Sequence, residues 1–170
     1  MADFRSSVII AKPLDEVFAY MLDLDNVHEI MPIVVKREKL TEGTITKGTM
    51  LKETRRVRAS DITSTIEVLE YEENRRFTTK SDSNGLIVEY KYDFYEISEG
   101  TQVELEATVK TTGLRMKLTK PFLVKMMKHE DGNQLLNLKD MLEGNHPVEE
   151  AEEEKQEEEL TEPADEHKKD

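Results

Sequence analysis

The sequence predicts an α+β domain: a curved antiparallel sheet of about seven strands wrapped around a long C-terminal helix, with two short helices after the first strand. Three observations predict it. Leu114 to Glu143 is the one long run with helical periodicity, in which Phe122, Leu123, Met126, Met127, Leu135, Leu138, Met141 and Leu142 recur at steps of three and four. Ahead of it lie short stretches of alternating apolar and polar residues, separated by turn residues, as in strands with one wet face. An amphipathic helix that follows such strands has the concave face of the sheet on which to bury its stripe.

The elements follow in order. Phe4 to Ala11 is the first strand, centred on Val8-Ile9-Ile10. Pro13 opens a short helix, at a position where its missing N–H does no harm, and Val17, Phe18, Met21 and Leu22 form the buried face. Asp25 to Met31 is a second helical turn, stopped by Pro32. Strands are expected over Ile33–Leu40, Thr49–Arg58, Ile62–Tyr71, Arg76–Ser81, Leu86–Glu96 and Thr101–Thr111. Ala59-Ser60-Asp61 is read as one turn, and Asn84-Gly85 as a type I′ hairpin turn. Val88, Tyr90, Tyr92 and Phe94 share one face, as do Val103, Leu105, Ala107 and Val109. Leu114 to Lys120 is expected to be a loop or short turn, with Pro121 in the first turn of the main helix. That helix has a polar centre, Lys128 to Gln134, around Gly132. Either it kinks on an exposed turn, or the centre faces a cavity.

Composition bounds the function. The chain has 170 residues, 36% hydrophobic and 36% charged, with a formal net charge of −13. The acidity is concentrated at the end: from Gly144 onward stand ten Glu and two Asp against three Lys. One domain over residues 1–145 and a disordered acidic tail over 146–170 are expected. The absence of cysteine excludes disulfides and thiolate metal sites. No signal-like N-terminus and no apolar run of the ~18 residues that would suggest a membrane span is present, so a cytoplasmic monomer is expected. Nucleic acid is not an expected partner of so acidic a chain. No phosphate-cradling glycine loop, metal constellation or cofactor motif stands out, so no cofactor and no metal are expected.

The order strand, two short helices, six strands, long helix is the helix-grip arrangement. The carrying stretches are Val8-Ile9-Ile10-Ala11-Lys12-Pro13 with Glu16-Val17-Phe18, and Asp25-Asn26-Val27-His28-Glu29-Ile30-Met31-Pro32. Gly48-Thr49 with Glu53-Thr54-Arg55, Ile66-Glu67-Val68 with Tyr71, and Tyr90-Lys91-Tyr92-Asp93-Phe94 add to them. The sequence resembles the polyketide cyclase/dehydrase and lipid-transport branch of the START-like (Bet v 1-like, SRPBCC) superfamily. Members often carry tryptophan where Ile30 stands. The resemblance implies an apolar cavity between sheet and helix, and a protein that binds or carries a small hydrophobic or amphipathic ligand. Alternatives within the superfamily are a polyketide cyclase/dehydratase-like enzyme and a co-chaperone-like interaction module.

Candidate ligand-binding residues follow from the alternation. With Leu51 inward, Glu53 and Arg55 share its face, where Arg55 could hold an acidic group on the ligand and Glu53 orient it. The opposite register would turn Met50 inward and leave Glu53 in water. Ile66, Phe77, Val88, Tyr90 and Tyr92 are the other strand candidates; Met126, Glu130 and Asn133 are those of the helix. The tyrosines are candidate ligand hydroxyls or plain core aromatics. In an enzyme, Glu53, Arg55 or Tyr92 would supply acid and base. His129 is a further candidate base in the polar centre. Arg115, Lys117, Lys120, Lys125 and Lys128, interleaved with Leu114, Met116, Leu118, Phe122 and Met126, form either a solvated helix face or a surface for transient contact with anionic membrane.

Overall fold

The computed structural model describes residues 1–145; the expected acidic tail lies outside the described residues. Strand β1 (Phe4–Ile10) leads through helix α1 (Leu14–Leu22), a 3₁₀ turn (Leu24–Asn26) and helix α2 (Val27–Ile30) into β2 (Val34–Lys39). Strands β3 (Met50–Val57), β4 (Ser60–Glu72), β5 (Arg76–Ser83), β6 (Leu86–Ile97) and β7 (Gly100–Thr111) follow, then helices α3 (Leu114–Asp131) and α4 (Gln134–Glu143). The seven strands form one sheet in the order β1-β7-β6-β5-β4-β3-β2, antiparallel throughout. Register irregularities at Val34/Lys36 and Val68/Glu70 mark bulges, which bend strands and increase their twist.

Turn chemistry fixes the register. Asn84 and Gly85 both have positive φ, 52° and 86°, and join Ser83 to its partner Leu86 as the type I′ reading requires. The β3–β4 turn falls earlier than predicted. Val57 pairs with Ser60, so Arg58 and Ala59 make the turn, with Arg58 at φ 57°.

One end of the concave face is filled. Phe18 of α1 packs against Phe94, ring centroids 5.0 Å apart, and Phe77 stacks on Tyr92 at 4.5 Å. Val103, Leu105, Ala107 and Val109 of β7 are buried, as the alternation predicts.

The C-terminal helical stretch is broken at Gly132–Asn133, the kink that the glycine allowed. A methyl group at Gly132 would press into the Lys128 carbonyl oxygen more closely than a Cβ can lie, so this local geometry needs glycine. Helix α4 is fastened at both ends. Asn137 Nδ2 donates to the Ile30 carbonyl at 2.9 Å, Lys139 Nζ to the Ile9 carbonyl at 2.6 Å, and the Ala11 N–H to Glu143 Oε1 at 2.8 Å. Two expectations for α3 fail. The helix starts at Leu114, directly after Gly113 with φ 85°, so Pro121 lies inside it rather than in its first turn. Phe122 is not part of the buried stripe; it is 69% exposed. At 100° per residue Phe122 stands about 200° from Val124, whose side faces the core.

Candidate functional site

The concave face carries a partly open cavity of about 210 Å³ between the sheet, the short helices and α3. Sheet register explains why space remains there. On β5 the inward positions after Phe77 are Thr79, Ser81 and Ser83, opposite Tyr90, Val88 and Leu86 of β6. Small hydroxyl side chains occupy the middle of the sheet where the flanking strands carry large ones. The missing volume is the cavity.

Leu51, Glu53, Arg55, Ile66 and Phe77 all line this space, and so do Val88, Tyr90, Tyr92, Met126 and Glu130. The inward register of β3 is therefore the one adopted, with Glu53 only 1% exposed. Asn133 is the exception. It sits at the helix break and is exposed, about 200° around the axis from the buried Asp131. His129 is also exposed and does not line the cavity.

The polar part of the lining is a closed cluster. Arg37 of β2 stands directly opposite Glu53 of β3. Its Nε donates to Glu53 Oε2 at 2.8 Å, and its Nη2 reaches the same oxygen. Arg55 Nε donates to Glu53 Oε1 at 2.6 Å. Arg55 Nη1 donates to both oxygens of Asp131, at 3.0 and 2.9 Å, and the Tyr90 hydroxyl donates to Asp131 Oδ2. Beside it the Tyr92 hydroxyl donates to Gln134 Oε1 at 2.6 Å, and Gln134 Nε2 to the Asp131 carbonyl at 3.0 Å. Two guanidinium groups thus face two carboxylates, Glu53 and Asp131. Among the described residues no buried side-chain polar atom lacks a partner, the condition under which buried charge is tolerated.

Electrostatics follow from this packing. Burial alone would raise the Glu53 carboxyl, but Arg37 and Arg55 outweigh it and hold the group below the usual carboxylate value. Burial would lower Arg55, but Asp131 and Glu53 raise it, so it stays charged. Burial pushes the Tyr90 hydroxyl well up, and the Asp131 charge adds to this. Burial likewise raises Tyr92. Among the described residues no group of three potential metal-binding side chains occurs.

Sequence reasoning missed Arg37, Asp131, Gln134 and the β5 hydroxyls. The last three were readable in principle. Asp131 and Gln134 continue the stripe of Met127, Leu135 and Leu138 at helical spacing, and Thr79, Ser81 and Ser83 continue the face of Phe77 at period two. Arg37 needed the pairing partner of Glu53, which periodicity does not supply.

No helix among the described residues is long and apolar enough to cross a membrane. The polyketide cyclase / dehydrase and lipid transport family matches residues 1–143. No curated protein matches the sequence. Among solved structures, TTHA0849 from Thermus thermophilus superposes with a TM-score of 0.66 at 18% identity, covering 84% of this chain and 97% of that one. The di-domain ARO/CYC StfQ from the steffimycin biosynthetic pathway gives 0.68 at 14% identity, covering 85% of this chain and 51% of that one, so the present chain spans about half of it. Ara h 8.0201 gives 0.64 at 15% identity, covering 83% and 97%. At these identities the likeness is one of fold. The matched span takes in both the sheet and the broken helix, and the chain belongs to the polyketide cyclase / dehydrase and lipid transport family, with its Bet v 1-like helix-grip fold.

Proposed function

We propose that the protein binds and carries a small hydrophobic or amphipathic molecule in the cavity between sheet and α3. The observation that carries this reading is the cavity itself. Protein interiors seldom keep voids much larger than a water molecule. A space of about 210 Å³ left beside the core is therefore room that the chain's own side chains do not fill. A lining that is mostly apolar, with a charged cluster and a row of hydroxyls, suits a ligand of the same mixed character. The held charges favour carriage over acid–base chemistry. Glu53 is kept ionised and Tyr90 and Tyr92 are kept neutral, which does not tune them for proton transfer near neutrality.

Loading at a membrane surface fits the outer side of α3. Leu118 is 78% exposed and Phe122 69%. They stand in the i+4 row that continues to Met126 and Glu130 in the cavity wall. Exposed Lys117, Lys125 and Lys128 lie on the same helix, the combination that attracts an amphipathic helix to anionic lipid. Native mass spectrometry of the gently purified protein tests the carrier reading. A co-purified small-molecule mass on a monomer supports it. A bare chain that also takes up no hydrophobic probe overturns it.

A further inference from the structure

Resting on the carrier reading, we infer that the cavity recognises its ligand by a carbonyl or carboxylate oxygen, which accepts N–H bonds from the unused ends of Arg37 and Arg55. The charged cluster pairs its charges but does not use all its donors. Arg37 commits Nε and Nη2 to Glu53 Oε2. Arg55 commits Nε to Glu53 Oε1 and Nη1 to Asp131. Arg37 Nη1 and Arg55 Nη2 are left without a partner among the described residues. Both arginines line the cavity and are half-buried. Among the described residues every fully buried side-chain nitrogen and oxygen has a partner, so these two nitrogens, which have none, are accessible.

A guanidinium donates and has no lone pair to offer, so what it reads is an acceptor. Glu53 gives one oxygen to each arginine and so fixes both heads before a ligand arrives, and a donor already in place loses little freedom on binding. A ligand oxygen can meet these N–H groups without displacing Glu53 or Asp131, so no buried charge loses its partner. The charges that line the cavity, Arg37 and Arg55 against Glu53 and Glu130, sum to zero. The local donors therefore select the ligand's polar end, rather than a net field. The other polar groups of the lining discriminate less. The hydroxyls of Ser64, Thr79, Ser81 and Ser83 both donate and accept. Glu130, on α3, accepts only, but among the described residues no side chain fixes its carboxylate. The hydrocarbon part of the ligand faces Leu51, Ile66, Val88 and Met126.

The test is equilibrium dialysis with naphthalenes of similar size: 2-naphthoate, 2-acetonaphthone, 2-ethylnaphthalene and 2-naphthylmethylamine. Whichever of naphthoate and acetonaphthone binds more tightly tells a carboxylate from an uncharged carbonyl. Arg37→Met should weaken that probe by about tenfold or more and change ethylnaphthalene by no more than about twofold. Arg55→Met with Asp131→Leu, which removes the second donor without leaving Asp131 unpaired, should show the same selective loss. Circular dichroism, together with retained ethylnaphthalene binding, establishes that the variants are folded. An equal loss for hydrocarbon and oxygenated probes, or no loss for any, overturns the inference and leaves the carrier reading standing. So does an amine that binds most tightly and is released by Glu130→Gln. Failure of every probe to bind overturns the carrier reading, and the inference falls with it.

Discussion

Replacing Asp131 by alanine is expected to destabilise the fold by about 3 kcal/mol, the low end of the 3–5 kcal/mol for breaking a buried ion pair. The magnitude follows from its surroundings. Asp131 is 0% exposed and accepts from Arg55 Nη1 at both oxygens, and from the Tyr90 hydroxyl. Its removal leaves one guanidinium edge and one phenol without acceptors in a space closed by α3. Arg55 still keeps Glu53 at 2.6 Å, so its charge is not left wholly unpaired, which sets the low end. With a urea slope of roughly 2 kcal/mol/M for a domain of this size, the midpoint should fall by about 1.5 M. The assay is urea unfolding followed by circular dichroism, with Arg55→Met/Asp131→Leu measured beside the single variant. In the double variant Glu53 retains Arg37, and most of the loss should be recovered, because apolar replacement of a whole buried pair is often neutral or better. A midpoint change under about 0.3 M for Asp131→Ala is what an exposed pair would give, and it would refute the account of the cluster as a buried strut. So would a double variant that costs the sum of its parts.

Three other outcomes are expected. Glu53 is held below the usual carboxylate value, so its stabilisation is fully present above about pH 4.5 and lost as pH falls through the lowered value. Acid unfolding followed by circular dichroism should show that loss, and Glu53→Gln should flatten it. Gly132→Ala should lower thermal stability by about 1–3 kcal/mol through overpacking against the Lys128 carbonyl, whereas an ordinary helical glycine would gain about 1 kcal/mol; a raised melting temperature would contradict the close contact. Leu118→Ser with Phe122→Ser should leave stability within about 0.5 kcal/mol, since both side chains are exposed. The same pair should weaken co-sedimentation with anionic vesicles, and unchanged sedimentation would remove α3 as the membrane-facing side.

The strands were legible because one face is wet and the other covered, so alternation carries the signal along β6 and β7 without help from distant residues. The inward face of β3 was only half legible. Alternation ties Glu53 to Arg55 and to Leu51, but not to a side of the sheet; pairing with β4, where Leu51 faces Ile66, settles it. Asn133 was misplaced and Asp131 overlooked for a common reason. Residues two apart on a helix stand about 200° from each other, so near neighbours in sequence part company: Asp131 at the end of α3 is buried against Arg55 and Tyr90, while Asn133 is exposed. Phe122 misled because a stripe two residues out of phase still shows good periodicity. A hydrophobic side chain beside the buried face looks the same in sequence as one within it.

The break at Gly132–Asn133 also divides the C-terminal stretch into units of unequal local stability. Helix α4 is tied to β1 and α2 and carries fully buried Leu135 and Leu138, so its amides should exchange with solvent only through near-global unfolding. Among the described side chains of α3, Val124 and Met127 pack against the core and Lys120 pairs with Asp3 at 2.9 Å, beside Asp131 at its end, and Pro121 has no N–H to give the carbonyl four residues back. Its amides should exchange through a smaller, sub-global opening that leaves α4 and the sheet intact. The protein would then uncover its cavity without unfolding, with the amide protection of α3 rising when the cavity is filled and that of α4 staying the same.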